Sequence, residues 1–189
     1  KSFYLNNSQQ LSAFVDYYIT NFKDQVVVDW ENFDKISFYN LEGKSIAKSF
    51  HIEIDYSYQN LINLRIAFKN YDVRQDYISG YKEKPLLAKN RFFVNMGIES
   101  KPTPKGKLWR WDLTFHLVGN QRLVETIRDD LNSYSPIYSI WNFQFSRVFS
   151  KKFEIYLGGE NIGNFKQTNP IIGSDDPFGM NFDSSQIYG

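Results

Sequence analysis

The chain contains no cysteine and only two histidines. The first absence excludes a disulfide-stapled scaffold and a thiolate metal site. Neither charge dominates: 22 Lys and Arg stand against 21 Asp and Glu, a net +1. That balance gives no strong pull toward nucleic acid or an anionic surface. No apolar run approaches the roughly 18 residues of a membrane-crossing helix, and the mean hydropathy is −0.48. No nucleophile motif, phosphate-cradling loop or dinucleotide fingerprint occurs. Gly158-Gly159 lies inside a strand pattern, where glycine marks a bend or a close approach. The reading therefore predicts no enzyme and no cofactor.

Aromatic residues are abundant, at 18% of the chain, with 17 Phe, 13 Tyr and 4 Trp. Many neighbour charged residues. The arrangement suits elements that are apolar on one side and polar on the other.

Periodicity shows which elements these are. In "LWRWDLTFHLVGN", Trp109, Trp111, Leu113, Phe115 and Leu117 share one parity, and Arg110, Asp112, Thr114 and His116 the other. Side chains of a strand alternate between faces, so this stretch has one greasy and one polar face. The same period runs through Phe50–Tyr58 against Ser49, His51, Glu53, Asp55 and Ser57. It recurs in Ile62, Leu64, Ile66 and Phe68, in Phe92, Val94, Met96 and Ile98, in Trp141, Phe143 and Phe145, and in Phe153, Ile155 and Leu157. A weaker case is Leu11, Ala13, Val15, Tyr17 and Ile19. About seven long strands are expected, all β, in an antiparallel up-and-down meander.

The connections alternate in length. Short ones fall at Gln59-Asn60, residues 101–107 and Ser150-Lys151; long ones at about 22–37, 72–86, 119–136 and after 163. In a meander this puts all short turns at one end and all long loops at the other, as in outer-membrane barrels. Aromatics cluster near both ends: Tyr56, Tyr58, Trp109, Trp111, Phe149 and Phe153 by the short turns, and Tyr71, Tyr77, Tyr134 and Tyr138 by the long loops. Two interfacial girdles are the expectation. A membrane barrel is favoured over a soluble β-protein, and the polar lumen face accounts for the modest hydropathy.

On that reading the lumen face carries His51, Glu53, Asp55, Arg65, Lys69, Arg91, Glu99, Arg110, Asp112, His116, Glu154 and Glu160. Charges of both signs there are expected to pair across strands rather than to act as acid and base. The two histidines sit on separate strands, so no metal site is expected. Asp175-Asp176 reads as a turn rather than a calcium loop. Leu123, Ile127 and Leu131 have helical spacing, enough for a short loop helix. Arg74, Asp76, Tyr77, Tyr81, Arg122 and Glu125 lie in long loops, where an external ligand would first be met.

The stretch "FEIYLGGENIGNFKQTNPIIGSDDPF" resembles the end of a TonB-dependent outer-membrane receptor. Glu160-Asn161-Ile162-Gly163-Asn164 is similar to the signature that closes that family's penultimate strand, with Gly163 where Thr or Ser is commoner. "YNLEGKSIAKSFHIEIDY" and "GNQRL" are similar to further stretches of the family. The resemblance implies a C-terminal segment, residues 1–189, of a 22-stranded transmembrane barrel, cut at both ends and lacking the plug and the last strand. It implies active uptake of a scarce nutrient, such as an iron–siderophore complex, across the outer membrane of a Gram-negative bacterium. The implied partners are outer-membrane lipid, the receptor's own plug, the TonB complex reached through the missing N-terminal part, and an external ligand; nucleic acid is not among them. A passive porin-type barrel, an outer-membrane hydrolase and a soluble β-sheet binding module are the alternatives. An open sheet of this kind is expected to be curved and to expose its edges.

Overall fold

The computed structural model describes residues 2–6, 8–32, 35–124, 134–167, 171–172, 178 and 183–187. Among these residues every regular element is a strand. The expected loop helix, Glu125 and Asp175-Asp176 lie wholly or mainly outside the described residues.

Eight strands form one antiparallel sheet. They are β1 (Ser2–Asn6), β2 (Gln9–Phe22), β5 (Ser45–Tyr58), β6 (Ile62–Gln75), β7 (Asn90–Glu99), β8 (Leu108–Val118), β9 (Tyr138–Ser150) and β10 (Phe153–Gly159), paired in that order. The hairpin β3 (Val26–Asn32) and β4 (Lys35–Asn40) is inserted between β2 and β5, and β11 (Ile171–Ile172) pairs with β12 (Asp183–Ile187). All seven expected strands are present in the main sheet. It stays open, with β1 and β10 at its edges.

Short and long connections alternate as expected. The β5–β6 turn holds Gln59 and Asn60 at φ of 50° and 57°, the two positive values that a type I′ turn demands. Leu61 N donates to Tyr58 O at 2.8 Å to close it. In the β7–β8 turn, Thr103 N donates to Lys107 O at 2.9 Å and Gly106 sits at φ 74°. The long links all emerge at the opposite end of the sheet.

The register sorts the side chains by face. Tyr58, Ile62, Ile98, Trp111, Phe145 and Leu157 are directly opposed in one row. Tyr56, Leu64, Met96, Leu113 and Phe143 form the next row; then come Ile54, Ile66, Val94, Phe115 and Trp141, and then Ile52, Phe68, Phe92 and Leu117. Leu11, Ala13 and Val15 extend these rows onto β2. The band ends at Asn70 and Asn90, joined by a 2.7 Å side-chain hydrogen bond. Beyond it the same face turns to Lys48, Asp72 and Arg74.

Among the described residues no second layer covers this band. Leu157 is 76% exposed and Val15 58%, and Trp141 and Phe143 are also exposed. Among the described residues the buried apolar ones are Val27, Leu41, Ala47, Val73, Tyr77, Ala88 and Val124. All of them lie toward the long-connection end.

The expected aromatics lie on the apolar face at one end only. By the short turns Trp109 stacks on Phe145 at 4.9 Å, and Arg147, on the apolar face, lies 4.1 Å over the Trp109 ring. At the other end the four tyrosines do not line the apolar face. Tyr71 pairs with Ser49 and Tyr138 with Val118, which puts both on the polar face. Tyr77 is buried in the loop core, and Tyr134 donates to Glu83 Oε2 at 3.2 Å. Sequence proximity to a loop does not settle parity, and parity decides the face.

Candidate functional site at the long-connection end

The long links fold against one another over the polar face. In β3, Val27, Asp29 and Glu31 share a parity, and the register pairs Val27 with Tyr39 and Asp29 with Ser37. This inner side of the hairpin supplies Val27 to a small core with Leu41 and Tyr77, against which Tyr39 and Tyr81 pack. Around that core lies a continuous polar network.

Its centre is Arg122. The guanidinium forms a two-pronged ion pair with Glu31, Nη1 to Oε2 at 3.2 Å and Nη2 to Oε1. The Arg122 and Glu31 side chains are 8% and 2% exposed. Arg122 Nε also donates to Glu83 O at 2.9 Å, and the charge lies 4.8 Å over the Tyr81 ring. Burial pulls the Arg122 proton affinity down, but Glu31 more than offsets it and the net direction is up. One residue of the β8–β9 link thus fastens β3 and the β6–β7 link together.

Asp29 is the second node. It accepts from Tyr39 Oη at 2.8 Å and from Glu31 N at 3.1 Å, and Tyr39 Oη accepts from Ile78 N at 2.9 Å. Burial pushes the Asp29 carboxyl up, but hydrogen bonds from Tyr39, Glu31 N and Ser79 outweigh it and hold it below the ordinary range. A third node joins strand ends. Ser45 Oγ donates to Gln25 Oε1 at 2.6 Å, Gln75 Nε2 donates to the same oxygen at 3.1 Å, and the Tyr77 hydroxyl donates to Gln75 Oε1. Burial first, then the charges of Asp29 and Glu31, push the Tyr77 phenol up to about 12.

Of the expected ligand contacts, Tyr77 and Arg122 therefore face inward and brace the loops. Arg74 is exposed and pairs with Asp72 at 3.0 Å. Asp76 accepts from Lys44 N at 3.0 Å. Tyr81 lies under Arg122. Glu31, Asp29, Tyr39, Gln25 and Gln75 are equally central, yet sequence reading passes over them. The signal was the alternation in "VVVDWEN", masked because valine occupies both parities.

The polar face below carries the expected charges. Arg65 Nε bonds Asp55 at 2.7 Å and approaches Glu53 at 3.5 Å. Arg110 bonds Glu99 at 2.7 Å and reaches Glu154 at 3.5 Å. His51, Lys69 and Arg91 share one row, and His116 lies opposite Phe93, their rings 4.9 Å apart. Asp112 and Glu160 line one shallow cavity with Thr114, Asn142 and Gln144. Among the described residues no group of three or more metal-ligating side chains converges.

The signature after β10 has a local explanation. Asn161 stands at φ 49°, and its side-chain amide bonds both Phe165 N (2.9 Å) and Phe165 O (2.8 Å). Its backbone N donates to Asn142 Oδ1 at 2.9 Å, and Ile162 N donates to Trp141 O at 2.8 Å. The asparagine substitutes for a backbone peptide and ends the strand in a fixed direction.

No protein-family model, curated protein or solved structure matches the chain.

Proposed function

We propose that this chain is part of the barrel of a TonB-dependent outer-membrane receptor that takes up a scarce nutrient such as an iron–siderophore complex. The unroofed apolar band carries the reading. On β5 it runs from Phe50 to Tyr58 and on β8 from Trp109 to Leu117. Each stretch reaches the low end of the roughly 9–11 residues of a membrane-spanning strand. In water such a band would have to be covered by protein, because burying apolar area yields about 25 cal/mol per Å². Lipid is the covering that leaves the opposite face free to line an aqueous lumen.

Two further observations support it. On the polar face Arg65 and Arg110 pair with carboxylates, as a water-filled wall permits. The long links interlock at one rim while the other has tight turns. Energy would come from the TonB complex through a plug inside the barrel. A passive porin-type barrel and a soluble β-sheet binding module are the rival readings.

Cysteine scanning tests the proposal, because the chain has no cysteine of its own. Single cysteines are placed at Val94, Leu113, Asn95 or Thr114 of the chain within the whole protein as its host makes it. In isolated outer membranes the first two should react only with a lipid-soluble maleimide. The last two should react with a water-soluble one. Equal reaction at both parities, or recovery of the chain as a soluble monomer, would overturn the reading.

A further inference from the structure

On the polar face the register sets His51 opposite Lys69 and Lys69 opposite Arg91. Three basic residue types therefore stand side by side on β5, β6 and β7. Directly opposed residues have Cβ atoms about 4.5–5.5 Å apart, and like charges so placed repel. The other charged rows of this face avoid that cost. Glu53 and Asp55 are taken by Arg65, and Glu99 and Glu154 by Arg110. Among the described residues no carboxylate lies within ion-pair distance of Lys69 or Arg91. Asp16 is the acid in their row, but it faces His51, with β5 between it and Lys69.

The surroundings favour a ligand that is both anionic and accessible. Lys69 and Arg91 are exposed, and Nζ of Lys69 lies 5.4 Å from the centre of the Tyr71 ring. One row toward the short turns the wall is mostly apolar: Phe14, Ala67, Phe93 and Ile140, with Glu53 and His116 between them. The basic row also lies just below the interlocked long links, where a solute entering from that rim arrives first.

We propose that Lys69 and Arg91, flanked by His51, form a binding site for a small solute bearing a carboxylate or phosphate oxyanion. Arg91 can offer two parallel N–H donors to such a group, and Lys69 adds a mobile point charge. The inference deepens the receptor reading. It rests on that reading in taking this face to be open to water, and it narrows the cargo to anionic solutes.

The test titrates the detergent-solubilised chain with inorganic phosphate and, separately, with citrate. Binding is followed by NMR of the His51 ring and the Lys69 side chain, against sodium chloride at matched ionic strength. Saturable shifts with phosphate or citrate and none with chloride are expected. Lys69→Gln and Arg91→Gln should each weaken binding about ten- to a hundredfold, the effect of losing a charged hydrogen bond. Arg110→Gln, which removes a paired cation on the same face, should leave it unchanged. The thermal midpoint of each variant is measured beside binding and should not fall; affinity is compared at a temperature below every midpoint, so that loss of binding is separated from unfolding. Shifts that chloride reproduces, or affinity that survives both substitutions, would overturn the proposal. The maleimide pattern is independent of this titration, so the site and the membrane reading fail separately.

Discussion

Replacing Arg122 by methionine leaves Glu31 as a buried carboxylate without its partner. The pair is shielded almost completely, with side chains 8% and 2% exposed, so solvent screening gives little relief. Breaking a buried pair from one side typically costs about 3–5 kcal/mol. At about 1.4 kcal/mol per decade that is roughly two to three and a half orders of magnitude in the opening equilibrium. Opening should be local, because the pair joins links and not strands of the main sheet. Hydrogen exchange followed by mass spectrometry reads it directly. The amides of β3, β4 and Leu41, the last of which donates to Gln25 O at 2.8 Å, should lose protection by that factor. The β5–β8 amides should keep theirs. The double variant Glu31→Leu/Arg122→Met should recover most of the loss, since an apolar replacement of both partners removes the stranded charge. Unchanged β3–β4 protection in Arg122→Met, or a double variant as open as the single one, would refute the argument that burial makes this pair decisive.

Other outcomes follow from single contacts. Asn161→Ala removes the two hydrogen bonds of its side-chain amide and forces alanine into a left-handed turn, so about 2–3 kcal/mol should be lost, visible as a lower thermal midpoint. Gly119→Ala would bring a methyl carbon within 2.8 Å of Asn90 O, and protection of the Gly119 amide, which donates to that oxygen, should fall. Gln59→Gly relieves a positive φ and should stabilise the β5–β6 hairpin by about 1 kcal/mol, measured by denaturant midpoint. The network is also pH-dependent at both ends. Asp29 has a lowered pKa in the folded state, so its contribution is present above the unfolded carboxylate value and is lost as pH falls through the folded one. Tyr77 is raised to about 12, so its contribution is intact below about 10, the ordinary phenol value, and is lost between there and about 12. Hydrogen exchange of β3 across both windows should show protection falling toward each extreme.

The main sheet was legible because one period governs it. The strands from β5 to β10 alternate over most of their length, with Phe93, Ile140 and Arg147 among the exceptions, and one short turn announces itself through Asn60. The β3–β4 hairpin was not legible, because its two faces are both partly apolar: Val26 and Phe38 are exposed while Val27 is buried. Period-two contrast vanishes when both sides carry valine. The loop braces were half legible. Arg122 and Tyr77 stand out as conspicuous residues in long links, but their partners come from 91 residues away in the case of Glu31, and no local pattern encodes that separation. The tyrosine band fails at that end for the same reason: closeness to a loop in sequence does not set strand parity, and Tyr71 and Tyr138 fall on the polar face.

The interlocked links also bear on strand alignment. A slip of one residue between neighbouring strands would turn every oily side chain of that strand to the polar face. The short reversals of β5–β6 and β9–β10 restrict such slippage, but between β6 and β7, or β8 and β9, a long tether alone sets no such limit. By clamping those tethers to one another, Arg122 and its neighbours make the rim a vernier that indexes one hairpin against the next.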